Sequence, residues 1–442
     1  MCARIIIAAL LAALAGRAAE PPVLPRDLKL SYLENRHIRL GVDLNLGGAI
    51  TYLAPATNRQ LNLINSFDWG RQVQVSYYSG PVPFQPPGAR LSPSWRGLGW
   101  NPIQSGDCYG NRSRVLQHTN DGRSLYVKCV PMQWPLENVP GDCACEVWLE
   151  LAGPVVKARC RLENHRADPT QYPARGQELP AVYVNAPFHR LMTYRGDRPF
   201  TDAALSQIDA RLQSGDWGHW LATENWAAEV NEAGWGLGVW NPGAFAFSGG
   251  FAGEPGPGGP LDSPTGYIAP NRQEILDHNI VYDYSYELIV GTLHEIRAYV
   301  YQQPRPGLPS FRFEHDRQGW HYVDATDTGW PIQGELDVRL DGKAPQVLSP
   351  LFFVRPEAAS RLSLEAAFTG TVSNLTVRWR AMLDHTFSPQ CFQTLPIQAD
   401  GQFHSYSINL AASPNYTGEI TQLRLDLPSS SRLRLKSASF AR

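Results

Sequence analysis

The chain is poor in charge: only 18% of its 442 residues are Asp, Glu, Lys or Arg, against about 25% in ordinary soluble domains. It has no excess of either sign, since 39 Lys+Arg stand against 41 Asp+Glu for a net charge of −2. Without a basic surplus there is nothing to draw a polyanion to the whole surface, which argues against nucleic acid as a partner. No Walker-type loop, dinucleotide fingerprint or H-E-x-x-H motif occurs, and no C-x-x-C pair is matched by a second. Nucleotide chemistry, zinc hydrolysis and a structural zinc site are therefore not expected, and no cofactor is predicted. Beyond the first twenty residues no apolar run is long enough to span a bilayer. What the chain does hold is 38 Gly, 36 Pro, 13 Trp, 18 Tyr and 16 Phe. That mixture suits short strands, frequent turns and large aromatic surfaces, and it excludes an all-α fold.

The opening MCARIIIAALLAALAGRAAE reads as a secretory signal. Arg4 is the positive region, Ile5 to Leu14 the apolar one, and the small residues up to Ala19 a cleavage site. A retained anchor is the alternative; a signal covering 1–19 places the mature protein outside the cell or in a periplasm. Six cysteines then remain, Cys108, Cys129, Cys143, Cys145, Cys160 and Cys391, where disulfides can persist. Cys143 and Cys145 fall on one face of a strand, so separate partners are expected for them.

From Leu28 to Tyr301 short alternating runs such as His37–Leu44, Ser124–Val130, Val155–Leu162 and Ile280–Ile289 are separated by Gly, Pro, Asn and Asp. This predicts antiparallel strands. Thr201–Leu212 is the one convincing surface helix, and the Gly/Pro-rich 249–266 segment is a long loop of the kind that rims a site. The Pro-rich 302–310 segment predicts a linker between a first domain (20–301) and a second (311–442) with its own strands, among them Arg361–Ala367, Leu375–Trp379 and Arg432–Phe440. About 130 residues of that pattern fit a β-sandwich.

The stretch IRLGVDLNLGGAITYL (Ile38–Leu53) and the following NLINSFDWGRQVQVSYYSGP (Asn62–Pro81) carry Gly47-Gly48-Ala49-Ile50, Asn65 and Asp68-Trp69-Gly70-Arg71. In these pieces the chain resembles the opening of a galactose-mutarotase-like supersandwich domain. The block FRFEHDRQGWHYVDATDTGW (Phe311–Trp330) resembles the β-sandwich modules appended to secreted bacterial polysaccharide-processing proteins. The resemblance implies an all-β chain, a supersandwich followed by a smaller, jelly-roll-like β-sandwich, acting on or binding a poly- or oligosaccharide as a monomer. Its members include epimerases, hydrolase and lyase domains and binding modules, and fold does not choose among them. The histidine element of aldose 1-epimerases is missing; RGQELPAVYVN (Arg175–Asn185) stands where it is sought. Polymer chemistry therefore ranks above simple mutarotation.

Glycoside cleavage commonly uses two carboxyl groups, one protonated and one ionised. Acids set in apolar or aromatic sequence, where burial raises a pKa, are the candidates. Glu178 lies between Gln177 and Leu179-Pro180, with Arg175 nearby either as substrate-binding residue or as the partner of a loop-locking ion pair. Glu224 lies among Trp217, Trp220, Asn225 and Trp226, which read either as a saccharide platform or as core. Asp277 beside His278 could form an acid/base pair, with one of the two facing a cleft. For substrate contacts the candidates are Asp68 and Arg71, which also fit a salt-bridged turn, and Trp100, Asn101 and Asp107, which also fit a structural loop. Tyr183 or Tyr267 would be the proton-transfer group of a lyase. His189 and His219 are further candidates. Glu314, Asp316, Asp337 and Asp426 are a weak calcium set, and Trp320, Trp330 and Trp379 fit core better than platform. A glycoside hydrolase is the leading reading; a polysaccharide lyase, a glycan-binding protein and an epimerase are the alternatives.

Overall fold

Alternation decides the architecture. Along Val281–Thr292 the rings of Tyr282, Tyr284 and Tyr286 are buried while Val281, Asp283 and Ser285 face out, the period-two pattern of a strand with one wet face. Val155–Asn164 pairs with it residue by residue, Val155 opposite Ile289 through Glu163 opposite Val281. In the computed structural model, which describes residues 27–210 and 217–442, such pairings build an all-β chain of antiparallel sheets. The expected signal segment lies outside the described residues.

The chain divides into two compact units. The first takes in residues up to Asp168, then Arg175–Asn271 and Val281–Gln303; the second is Pro169–Ala174, Arg272–Ile280 and Pro304–Arg442. Asp277 and His278, placed by the sequence in the first domain, thus belong to the second unit.

In the first unit one nine-stranded sheet runs Leu30–Glu34, Ile38–Asp43, Ala49–Pro55, Val73–Gln74, Ala181–Asn185, Thr265–Glu274, Ala246–Ala252, Gly218–Leu221, with Arg175–Glu178 added beside Thr265–Glu274. The other runs Ser206–Ile208, Arg190–Thr193, Trp226–Val230, Trp235–Trp240, Val281–Thr292, Val155–Asn164, Cys143–Ala152, Ser124–Val130, Arg114–Asn120. The sheets meet at Gly266: a Cβ there would sit 2.2 Å from the Glu229 carboxylate, so a side chain at this position would push that acid from its place between the layers. Gly47 is another constrained glycine, with φ +62° and the Gln104 carbonyl 2.1 Å from where a Cβ would be.

Three expectations are corrected. No helix forms over the described part of 201–212; Ser206–Ile208 is a short edge strand beside Arg190–Thr193. The helix is Leu293–Gln302, opened by a capping box in which Thr292 Oγ1 and the Glu295 carboxylate satisfy each other's backbone N–H groups. The 249–266 segment contributes its ends to strands, leaving 253–264 as the loop.

The second unit holds a six-stranded and a five-stranded antiparallel sheet. Its core includes Trp320 and Trp379, both essentially unexposed, with Phe313, Phe368 and Leu433. The proposed calcium set is not assembled: Asp337 pairs with Arg432 and Asp426 with Arg378, and no group of three metal-ligating side chains occurs among the described residues. All six described cysteines are thiols, so the expected separate disulfide partners of Cys143 and Cys145 are not found.

Candidate functional site

Strand alternation aims Gly266 at the second sheet and therefore Tyr267 at the opposite face. Tyr183 is its direct cross-strand partner. The two rings lie 5.0 Å apart, and Trp217 packs on the other side of Tyr267 at 4.7 Å. Aromatic pairs at these separations add to the stabilisation from area burial alone.

Glu178, only 9% exposed, ends the strand beside Tyr267. Its carboxylate accepts hydrogen bonds from Tyr267 Oη and from Tyr78 Oη at 2.7 Å, with Ser76 Oγ at 3.5 Å. Burial pushes its pKa up, and the three hydroxyls only partly offset that rise. The same burial, reinforced by the neighbouring acid, drives Tyr267 and Tyr78 well above the usual phenol value. At neutral pH the tyrosines hold their protons. Tyr183 is pushed up too, and it lies in the field of Glu178, Asp68 and Arg71 together.

The 65–72 turn flanks Tyr183 on the backbone: Asn65 N–H donates to the Tyr183 carbonyl at 3.0 Å and Tyr183 N–H to the Gln72 carbonyl at 3.1 Å. Within that turn Asp68 accepts from Gly70 N–H at 2.9 Å and pairs with Arg71 Nε at 2.9 Å. The 253–264 loop closes on it, because Arg71 donates to the Ser263 carbonyl, Ser66 N–H to the Pro260 carbonyl and Asn65 Nδ2 to the Asp262 carbonyl. The structure thus gathers Asp68, Arg71, Glu178, Tyr183 and Trp217 with Tyr267 on one face. Tyr78 and Ser76 escaped the sequence reading, although the Ser-Tyr-Tyr run of 76–78 carries the hydroxyls.

The other candidates lie elsewhere. Glu224 is 1% exposed and saturated: Arg297 donates from Nη2 at 2.9 Å and Nε at 3.1 Å, Tyr301 Oη at 2.8 Å, Phe200 N–H at 2.9 Å and Trp226 Nε1 at 3.0 Å. None of these partners is shared with Glu178, so the two acids do not form the expected pair. Asn225 donates to the Ala244 carbonyl, and Trp226 is wholly buried. Trp100 and Asn101 are likewise unexposed, Asn101 bonding the Tyr77 carbonyl. Asp107 accepts from Tyr109, Asn111 and Asn138 N–H groups and organises a turn.

Arg175 donates to the carbonyls of Ser79, Gly97 and Leu98 rather than to Glu178. Asp277 is tied to Arg317 at 2.6 Å and to Trp330 N–H in the second unit. His278 is half-buried in the turn beyond it. A cavity of about 250 Å³ lined by His189, Arg190, Asp209, Glu232 and Phe251 contains no member of the Glu178 cluster.

No protein-family model and no curated protein sequence matches the chain. Solved structures similar to it include galactose mutarotase-like proteins. One is a galactose mutarotase related enzyme from Lactobacillus acidophilus, 11% identical, covering 59% of this chain and 97% of its own, with a TM-score of 0.38. Another is a galactose mutarotase-like protein from Lactobacillus casei, 10% identical, covering 59% and 100%, also at 0.38. A 4-alpha-glucanotransferase from Thermococcus litoralis matches at 10% identity, 62% and 39% coverage and 0.31. At such scores the likeness carries no chemistry, and the all-β architecture stands on the strand pairing itself.

Proposed function

We propose that the chain is an exported carbohydrate-active enzyme that hydrolyses a poly- or oligosaccharide on the Tyr183–Tyr267–Trp217 face, with Glu178 as general acid. The observation that carries this reading is the Glu178 carboxyl, buried, raised in pKa and hydrogen-bonded by Tyr78 and Tyr267. A carboxyl group whose pKa burial raises is the kind that can donate a proton to a departing sugar oxygen. Sugar rings present apolar C–H faces, which suit the half-buried Trp217 and Tyr183. Asp68, the second carboxylate of the cluster, pairs with Arg71 and is the candidate for the second carboxyl role.

Elimination from a uronate is less well supported. It needs a base, and the tyrosines here have pKa values driven away from that role. The test is incubation of the protein with a panel of polysaccharides and mass analysis of the products. Products carrying one added water support hydrolysis; unsaturated products absorbing in the ultraviolet would establish a lyase, and tight binding without products a glycan-binding protein.

A further inference from the structure

In the second unit, strand Asn374–Ala381 turns Leu375, Val377 and Trp379 inward and Arg378 and Arg380 outward. Arg378 stands opposite Arg424 on one side and Phe392 on the other. The rings serve as supports: Arg378 lies 5.2 Å over Phe392, while Arg380 at 5.9 Å and Arg424 at 4.9 Å share Phe387. Two guanidiniums on one ring repel each other, and neutralisation is uneven. Asp426 takes both Arg378 and Arg424 at 2.7 Å. Arg380 forms no ion pair among the described residues, its Nε is buried without a hydrogen-bond partner, and burial lowers its pKa; the exposed Asp384 is the one carboxylate whose field reaches it. An uncompensated, partly desolvated guanidinium held by packing is a site that an anion would stabilise.

We propose, resting on the carbohydrate reading above for the nature of the polymer, that this face binds an anionic polysaccharide, with Arg380 taking a carboxylate or sulfate group of the chain and Arg378 and Arg424 flanking it. Because the face is built without Glu178, binding here is independent of turnover.

Affinity electrophoresis of the full chain in gels containing polygalacturonate, dextran sulfate or neutral dextran tests it. Retardation by either acidic polymer and not by dextran is expected, and which acidic polymer acts distinguishes a uronate from a sulfate ester. Arg380→Ala should weaken the interaction at least fivefold with an unchanged melting temperature. Arg380→Lys should recover part of it, since charge is kept and the planar fork is lost. Glu178→Gln should bind as the parent does. Equal retardation of the parent and Arg380→Ala, or retardation by duplex DNA matching that by the polysaccharides, would overturn the assignment.

Discussion

At the scale of single residues the molecule treats its buried acids in three ways. Glu224 is clamped by an arginine and three further groups, Glu178 is held by hydroxyls, and Glu229 has, among the described residues, a single donor, Tyr267 N–H at 3.0 Å, with Oε2 buried and unpartnered. Removing one partner of a buried, bonded ion pair leaves the other uncompensated, so Arg297→Ala should cost about 3–5 kcal/mol in chemical denaturation. Glu229 is raised well above its ordinary 4.5 by burial. A raised carboxyl stabilises fully below the unfolded value and loses that contribution as pH rises through the folded one. The parent should therefore lose stability on going from pH 4.5 upward, and Glu229→Gln, neutral at every pH, should flatten that fall; parallel melting curves against pH would refute the assignment.

The acids in apolar sequence were recognisable in the sequence, but their partners were not. Arg297 is 73 positions from Glu224, and Tyr267 is 89 from Glu178, separations at which only the folded sheet decides who meets whom. Asp68 and Arg71 were nevertheless singled out through the D-x-G-R resemblance, Glu178 as an acid in apolar sequence, Tyr183 as a possible proton-transfer group and Trp217 as one of the tryptophans near Glu224.

At the scale of elements, period two was readable almost everywhere: the expected Ser124–Val130 and Val155–Leu162 strands appear as Ser124–Val130 and Val155–Asn164. The helix was missed for a physical reason. Leu293–Gln302 follows Val281–Thr292 with no Gly or Pro break between them beyond Gly291, and only the Thr292-x-x-Glu295 box marks the switch. Conversely, 201–212 has helical spacing, but within its described part Ser206–Ile208 is an edge strand, since pairing with Arg190–Thr193 offers hydrogen bonds that a lone surface turn does not. The box should contribute measurably: Thr292→Ala is expected to cost about 1 kcal/mol, read as a lower denaturation midpoint. Gly266→Ala is expected to be harsher, about 1–3 kcal/mol or more, because its methyl would overlap the Glu229 carboxyl; Gly266→Ala combined with Glu229→Ala should recover much of the loss if that contact is the cause.

At the scale of the whole molecule, the boundary in the Pro-rich segment is only part of the division. Segments 169–174 and 272–280 belong with 304–442, and they supply Asp277 and Gln171 to the buried Arg317–Asp327 pair. No local texture announces such an exchange of segments, so the sequence drew one cut where the fold has several. The fragment 304–442 should accordingly melt below the same unit in the full chain, and Asp277→Asn in the full chain should reproduce part of that drop; a fragment as stable as the parent unit would contradict it.

On a polysaccharide that the parent cleaves, the decisive measurement is the turnover of Glu178→Gln beside Glu224→Gln, both checked for unchanged circular dichroism. Glu178→Gln should lose at least about a hundredfold in kcat, the scale of general acid catalysis, while still binding the polymer. Any deficit in Glu224→Gln should follow its stability. Full turnover by a folded Glu178→Gln enzyme would rule Glu178 out as the general acid.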